Sequence, residues 1–333
     1  MRDLVTSIPG VAIFTTTAKM GAFGPLEPVM QTIGFASSVL GIINFAAANT
    51  PSKPARGATV RIKVGTSGKD DAQTDGTVNT VYGWDIDNLY LGKVEGSFIE
   101  AGDIADYTID SFSGGTRAEY IGVDAGKNAI CIAWITVKMF DGTTGGAWTG
   151  DVGHYCGPSW YPQHERAGWT DDKQTKEYVP KCTWIDKDHS NKIKSAALKF
   201  SSSGYGDKVT ETLKKAKVCS LTAFGPDSGR PAKRELRKRE PWMEKRLVVS
   251  ALEQHTAKEV CESKTSWGPD FVGSDGMFCD MDSHTLAPLC STENVDGCVN
   301  INNGTKTVTK RSSVARREVE HVIRSYESIA NWL

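Results

Sequence analysis

An alternating apolar stretch at residues 128–139 constrains the fold more than any other feature of this sequence. Apolar side chains occupy every second position of 131–139, and the opposite face begins with Ile130 and Ile132 before it becomes polar at Thr136. A period of two residues is typical of a β-strand, and apolar residues on both faces indicate a strand that is covered on both sides at its start. We therefore predict that this stretch is a central strand of a β-sheet.

Shorter segments with strand character precede this central strand. They cover residues 58–65, 78–90, 98–109 and 120–123, with turn-forming residues between them. The 33 glycines and nine tryptophans also favour turn-rich β structure over helical bundles. One short helix is predicted at 207–219. The sequence therefore predicts an α+β fold that is mainly an antiparallel β-sandwich, with a disulfide-rich, partly helical C-terminal segment.

Eight cysteines divide evenly between the two halves of the chain. The first half contains Cys131, Cys156, Cys182 and Cys219, and the second contains Cys261, Cys279, Cys290 and Cys298. No C-x-x-C pair is present, which argues against a zinc site. We predict four disulfides, two within each half, in a secreted, extracellular protein; the alternative is a cytosolic protein with free thiols. Each half allows three pairings, and the spacing does not choose among them.

The first 50 residues contain an apolar segment that has three interpretations. Residues 33–48 are uncharged and mostly apolar, and they end in three alanines. The segment fits an atypical secretion signal, a buried or amphipathic helix, or a membrane-inserting segment that is short for a full span. We predict four parts for the whole chain: an N-terminal apolar segment at 1–50, a β-sandwich domain at 58–222, a basic linker at 223–246 and a Cys-rich helical tail at 247–333.

The predicted linker contains three clusters of basic residues. A segment with clustered like charges and few apolar residues does not pack into a core, so we expect it to be solvated and exposed to proteases. Cleavage after Arg234, Arg239 or Arg246 would then leave two chains, and the tail would associate with the sandwich domain only through a noncovalent interface. The net charge of the whole chain is −1, so nothing argues for a nucleic-acid partner.

The tail is predicted to contain two helices and one glycosylation site. Residues 250–253 read Ser-Ala-Leu-Glu, which matches the capping box that begins a helix. Apolar positions at helical spacing over 313–333 predict a final amphipathic helix. Asn303 begins the only Asn-x-Ser/Thr sequon of the sequence, which is consistent with a secreted glycoprotein.

Two resemblances add to this interpretation. The pieces VRIKVGTSGKDDAQTDG, FIEAGDIADYTI and ICIAWITV, within residues 58–137, resemble a PLAT-type β-sandwich. That family implies a domain that binds lipids, membranes or protein partners, in some members with calcium. The extension AWTGDVGHYCGPSWY and the segment TAKEVCESKTSWGPDFVGSDGMFCDMDSHTLAPLC are similar instead to uncharacterised secreted proteins of filamentous fungi. This second resemblance implies secretion but no assigned activity.

Aromatic side chains and loop carboxylates supply the candidate binding residues. Rings on the surface of a sandwich can stack on sugars or insert at a membrane interface, whereas buried rings belong to the core. The candidate rings are Trp84, Trp148, Trp160 and Tyr161. Loop carboxylates could instead surround Ca²⁺, which takes oxygen ligands; the candidates are Asp70, Asp71, Asp75, Asp85 and Asp87. No other cofactor is predicted.

Catalysis has weaker support in the sequence. A Cys156–His154 pair would need a free thiolate, and a cysteine among other cysteines is more often bridged. A glycosidase needs two opposed carboxylates in a cleft, for which the candidates are Asp85, Asp87, Asp103 and Asp106. We therefore predict a secreted, non-enzymatic binding protein, an effector or toxin-like factor that recognises a glycan, a membrane surface or a host or partner protein. The alternative is a secreted, glycosidase-like hydrolase that uses acidic residues in a cleft.

Overall fold

Two antiparallel β-sheets form the N-terminal half of the protein in the computed structural model, which describes residues 57–66, 74–111, 115–169, 173, 175–214, 217–225, 239–314 and 317–333. The strands of this half are β1 (Thr59–Val64), β2 (Gly76–Trp84), β3 (Tyr90–Glu95), β4 (Phe98–Ile99), β5 (Ile104–Thr108), β6 (Tyr120–Ala125), β7 (Ile130–Lys138), β8 (Thr144–Thr149), β9 (Trp160–Tyr161), β10 (Gly168–Trp169), β11 (Glu177–Tyr178), β12 (Cys182–Ile185), β13 (Ala197–Ser201) and β14 (Thr222–Gly225), and its helices are α1 (Asp151–Cys156) and α2 (Val209–Lys214). The first sheet has the order β5-β1-β7-β12-β9 with β8 also on β7, the second has the order β14-β13-β6-β2-β3 with β4 also on β2, and β10 pairs with β11 apart from both. The predicted fold class, an α+β fold built mainly on an antiparallel β-sandwich, is confirmed.

The central strand lies where the alternating pattern predicts it. β7 pairs with β1, β8 and β12, and every residue of the strand except Lys138 is buried. Cys131 and Trp134 are 0% and 4% exposed. Both faces of the strand are covered: β2 of the second sheet contacts β7, and the residues of β7 belong to the hydrophobic core that also contains residues of the C-terminal half. The continuous apolar start of this strand therefore reflects burial on two sides.

The segment predicted as one strand at 78–90 is two strands joined by a turn. β2 ends at Trp84, and β3 begins at Tyr90 and returns antiparallel to it. Asp85 makes this turn, because its carboxylate accepts hydrogen bonds from the backbone N–H groups of Asp87 (3.0 Å) and Leu89 (2.8 Å). The side chain thus replaces backbone partners and reverses the chain.

The C-terminal half contains one mixed sheet and one antiparallel sheet. Its elements are α3 (Pro241–Glu244), β15 (Arg246–Ser250), α4 (Ala257–Glu262), β16 (Asp270–Val272), β17 (Met277–Asp280), β18 (Thr285–Pro288), β19 (Val299–Asn302), β20 (Thr307–Val314), β21 (Arg317–Ser325) and β22 (Ser328–Trp332). The mixed sheet has the order β18-β17-β16-β15-β22, with β15 parallel to both of its neighbours, and the antiparallel sheet has the order β19-β20-β21. In the described part of 247–333 the helix content is confined to α4.

Of the two helices predicted in this half, the final one is wrong and the other begins later than predicted. The described residues of 313–333 form β20, β21 and β22, and the apolar side chains assigned to one helical face are divided: Val322 is 61% exposed while Tyr326 is 7% exposed. Ser250 ends β15, and its hydroxyl hydrogen-bonds to His255 Nδ1 (2.9 Å). The helix begins later, at Thr256, whose side chain accepts the N–H of Glu259. Thr256, not Ser250, therefore caps this helix.

The two halves share one hydrophobic core. Trp160 of β9 exchanges backbone hydrogen bonds with Thr265 (3.2 Å) and Trp267 (3.0 Å), and its indole N–H donates to Ser263 (3.0 Å). Tyr161 packs edge-on against Phe271 and donates its hydroxyl hydrogen to the carbonyl of Pro269 (3.1 Å). These contacts join the sandwich to the C-terminal half through buried aromatic rings.

Four disulfides lie within the halves, as predicted. They join Cys131 to Cys182, Cys156 to Cys219, Cys261 to Cys279 and Cys290 to Cys298, and no cysteine is free. Within the described ranges, no helix is long and apolar enough to cross a membrane. The apolar segment at 33–48 lies outside those ranges.

Candidate functional site

The outer face of the second sheet carries a cluster of aromatic rings that lie outside the hydrophobic core. Tyr82 and Trp84 of β2 lie on this face, and the residues across the sheet from Trp84 are Tyr90 on β3 and Tyr120 on β6. The ring centroids are 5.7 Å apart for Tyr82 and Trp84, and 6.4 Å apart for Trp84 and Tyr90. We call these four rings, together with Lys199, the Trp84 face.

Gly122 allows the Trp84 ring to lie close against the neighbouring strand β6. Gly122 belongs to β6 and lies directly across from Tyr82 of β2. A Cβ at the position of Gly122 would be only 2.7 Å from a carbon of the Trp84 ring. A larger residue would therefore push the indole away from the sheet. Gly122 therefore helps to fix the orientation of the Trp84 indole on this face.

Lys199 of β13 completes the face. Its ammonium nitrogen lies 3.8 Å from the centroid of the Trp84 ring and 5.2 Å from that of Tyr120, within the range of cation–π attraction. The same ammonium donates a hydrogen bond to the side-chain oxygen of Asn88 (2.5 Å). Partial burial lowers the pKa of Lys199. These contacts hold the rings and the loop at 85–89 in one arrangement.

The loop at 85–89 brings further apolar surface to the edge of the Trp84 face. Ile86 and Leu89 are 65% and 63% exposed, and Tyr90 beside them is 47% exposed. Two carboxylates, Asp85 and Asp87, lie in the same loop. The edge of the face is therefore apolar but carries negative charge.

Polar groups alternate with the rings across the face. Asp124 of β6 accepts a hydrogen bond from Tyr82, and burial, opposed by that bond, raises the pKa of this aspartic acid. Lys93 of β3, directly across from Tyr82, is ion-paired with Glu95 (3.1 Å). A cluster of rings interleaved with donors and acceptors can contact the apolar face of a ligand ring and bind the hydroxyl groups at its rim.

Three of the four aromatic residues predicted as ligand-binding lie in the interior instead. Trp148 and Trp160 are 0% exposed and Tyr161 is 1% exposed. Trp148 packs against Phe200 inside the sandwich, while Trp160 and Tyr161 join the halves. An exposed platform at these three positions is therefore wrong, and only Trp84 lies outside the core. The rings that surround it were not predicted, although Tyr82 and Trp84 at alternate positions of one strand already indicate a shared face.

The predicted calcium ligands do not converge in the described residues. Asp70 and Asp71 lie outside the described ranges. Asp75 precedes β2 at one end of this strand, whereas Asp85 and Asp87 follow its other end. In the part of the chain that the structure describes, no group of three or more His, Cys, Asp or Glu side chains could hold a metal ion.

The predicted processing sites differ in their surroundings. Arg234 lies outside the described residues, but Arg239 and Arg246 are 5% and 2% exposed. Arg239 is ion-paired with buried Asp270 (2.7 Å), and Arg246 begins β15. Exposure to proteases at these two residues is therefore wrong, because pairing and strand formation bury their side chains. Asn303 is exposed in the turn between β19 and β20.

The candidate catalytic groups are engaged in other contacts. Cys156 is bonded to Cys219, so it has no thiolate. His154 lies 3.4 Å from Glu259, and burial lowers the pKa of this histidine to about 3. Asp106 is paired with Arg61 by two hydrogen bonds of 2.7 and 2.8 Å. Cys156 therefore offers no nucleophile, and Asp106 is held in an ion pair.

Known sequences add no assignment. No family model matches the chain, and no curated protein is similar to it.

Proposed function

We propose that this is a secreted, non-enzymatic protein that binds a glycan through the Trp84 face. The observation that carries the proposal is the cluster of Tyr82, Trp84, Tyr90 and Tyr120 on the outer face of one sheet, with Lys199 held against two of the rings. Rings already held in place lose little conformational entropy when a ligand stacks on them. The four disulfides support secretion, since such bonds persist in oxidising compartments.

A glycan suits this face better than a membrane or a protein. Sugar rings present an apolar C–H face for stacking and hydroxyl groups that both donate and accept hydrogen bonds, which matches rings interleaved with Lys93, Asp124 and Lys199. Insertion into a membrane is opposed by Asp85 and Asp87, because the carboxylates flank the exposed Ile86 and are repelled by anionic lipids. The PLAT-type resemblance is part of the same proposal. This sandwich would bind its ligand on a surface, as that family does, but the ligand would be a glycan in place of a lipid.

The test measures binding of the purified full chain to insoluble cellulose and chitin and to a glycan array. Trp84→Ala should lower the affinity at least tenfold, since truncation of a central tryptophan typically costs ~2 kcal/mol or more. Gly122→Ala should also weaken binding, because it displaces the Trp84 ring without removing it. Trp169→Ala is the matched control: this tryptophan lies in the separate β10–β11 sheet, with Arg166 4.3 Å above its ring.

Two results would contradict the proposal. The first is equal glycan binding by Trp84→Ala and the wild-type protein. The second is the absence of glycan binding together with Trp84-dependent binding to vesicles of anionic lipid, which would show that the face recognises a membrane. The hydrolase suggested by the sequence stays a prediction, and release of reducing sugar from the bound glycans would reveal it.

A further inference from the structure

The turn between β19 and β20 carries an exposed asparagine within the sequon. Asn303, Gly304 and Thr305 lie in this turn, and all three residues are exposed. The carboxamide of Asn303 makes no hydrogen bond with the described residues. Attachment of an N-linked glycan needs an accessible asparagine with a hydroxyl residue two positions later. The turn therefore meets the structural requirement for this modification.

The neighbours of Asn303 hold this turn in place. The side-chain oxygen of Asn302 accepts a hydrogen bond from the backbone N–H of Thr305 (3.0 Å). Lys306 has a positive φ angle of 54°, and its carbonyl oxygen accepts the backbone N–H of Tyr326 (2.9 Å), just after β21. A glycan on Asn303, or a substitution of this residue, therefore leaves the hydrogen bonds of the turn intact.

The strand β21 lies at the edge of the same sheet. The strand order is β19-β20-β21, so among the described residues β21 pairs only with β20. Val322 and Ile323 of this edge strand are 61% and 40% exposed, and positions 321–323 contain no Asp, Glu, Lys or Arg. An edge strand with exposed apolar side chains can pair with a strand of another chain, and natural proteins charge or cover such edges. The stretch at 321–323 is therefore the part of this edge that charge does not protect.

The register of the sheet places Asn303 near this stretch. Thr307, the first residue of β20 after the turn, pairs with Ser325, so the turn lies beside the C-terminal end of β21. Val322 lies across from Thr309, which is two residues further along β20. A strand rises about 3.3 Å per residue, so Thr309 is roughly 7 Å from Thr307. An N-linked glycan is bulky and contains several sugar rings, so it spans this distance and can cover the stretch at 321–323.

We propose that Asn303 carries an N-linked glycan and that this glycan keeps β21 from pairing with another chain. The donor is an oligosaccharide linked to a lipid through a diphosphate. The side-chain nitrogen of Asn303 forms a bond to the anomeric carbon of the oligosaccharide, the bond from that carbon to the diphosphate oxygen breaks, and the lipid diphosphate leaves while the amide loses one proton. The proposal rests on the proposed secretion, because this transfer belongs to the secretory pathway, but it does not rest on the Trp84 face or its ligand.

The first test measures the mass of the full chain, secreted from yeast behind a secretion leader, before and after treatment with an enzyme that hydrolyses the bond between asparagine and an N-linked glycan. The wild-type protein should carry a glycan that the treatment removes. Asn303→Gln should carry none, because the acceptor is gone. Thr305→Ser is the matched control, since it keeps the sequon and should keep the glycan. Secretion of a wild-type protein without the glycan overturns the proposal.

The second test compares the self-association of the same proteins by analytical ultracentrifugation. Asn303→Gln should associate at a concentration about tenfold lower than the wild-type protein, because the edge of β21 is then uncovered. Val322→Lys in the Asn303→Gln background should reverse this change, since a lysine on an edge strand opposes pairing. The protective role is overturned if Asn303→Gln stays as monomeric as the wild-type protein, or if Val322→Lys does not reverse its association.

Two further measurements separate this proposal from the previous one. Thermal unfolding of each variant shows that self-association does not arise from a loss of folding. Asn303→Gln should bind glycans through the Trp84 face as the wild-type protein does, because the turn belongs to a different sheet. Failure of the glycan on Asn303 would therefore leave the Trp84 face untouched, and failure of the Trp84 face would leave the glycan on Asn303 untouched.

Discussion

The packing between the halves can be tested with one added carbon atom at Gly268. A Cβ at this position would lie 2.1 Å from two carbons of the Tyr161 ring and 2.6 Å from a third. Gly268 does not have a positive φ angle, so the backbone accepts alanine and only the overlap costs free energy. Gly268→Ala therefore tests whether the ring of Tyr161 lies against the C-terminal half.

The structure sets the size of the effect, because Tyr161 has little room to move. Its side chain is 1% exposed, its hydroxyl is bonded to the carbonyl of Pro269, and its ring packs against Phe271 with a centroid distance of 6.2 Å. Overpacking of a rigid interior typically costs about 1–3 kcal/mol and occasionally more. We expect a loss of ~3 kcal/mol in the free energy of unfolding, at the upper end of that range.

The assay is urea unfolding at equilibrium, followed by tryptophan fluorescence with the disulfides intact. Gly225→Ala is the matched control, because no atom of the described residues lies within 4 Å of a Cβ at that position and its φ is not positive. Gly268→Ala in a Tyr161→Ala background should cost much less, since the overlapping ring is gone. If Gly268→Ala and Gly225→Ala both change the stability by less than ~0.5 kcal/mol, the interface described here is refuted.

Two further predictions concern single side chains. Trp134→Ala should lower the free energy of unfolding by about 3–5 kcal/mol through the cavity that it leaves, and an unchanged melting temperature would show that Trp134, 4% exposed here, is not in the core. Burial raises the pKa of Asp186 from 3.8 to about 6, so its negative charge destabilises the folded protein above pH 6. This loss of stability disappears as the pH falls from about 6 to 3.8 and the carboxylate becomes protonated. Asp186→Asn should therefore raise the stability by ~1–3 kcal/mol at pH 7.5 and leave it nearly unchanged at pH 4. An equal effect at both pH values would contradict the burial of this carboxyl group.

Local sequence patterns predicted the sandwich because its strands alternate strongly. In β7 and β1 successive side chains point to opposite faces of the strand, so each face shows every second residue of the sequence. This period of two can be recognised without knowing which elements pack on the strand. The division of the cysteines also held, since each disulfide closes within its own half. One turn was missed: the residues Asp85, Asp87 and Asn88 favour a turn, but the prediction continued a single strand through them.

The tail could not be predicted in the same way, because its pattern fits two structures. The apolar residues of 317–333 recur at helical spacing, which predicts a helix with one buried face. Val322 and Ile323 are exposed in the structure, so these residues do not form such a face. Likewise, Arg239 and Arg246 have the composition of a solvated linker and are buried only because distant partners exist, namely Asp270 for Arg239 and the adjacent strands for Arg246. Partners far apart in sequence also explain why Trp160 and Tyr161 resemble surface rings until the C-terminal half covers them.

The shared core changes what proteolytic cleavage would do to this protein. A cut after Arg234 would break the chain, but Trp160, Tyr161 and Trp332 would still be buried between or beside the halves. Burial of large aromatic side chains contributes about 1.5–3 kcal/mol each, so the cut alone would not release the tail. Separation would need a denaturant. The Trp84 face lies wholly in the sandwich, so it would keep its geometry if the sandwich stayed folded.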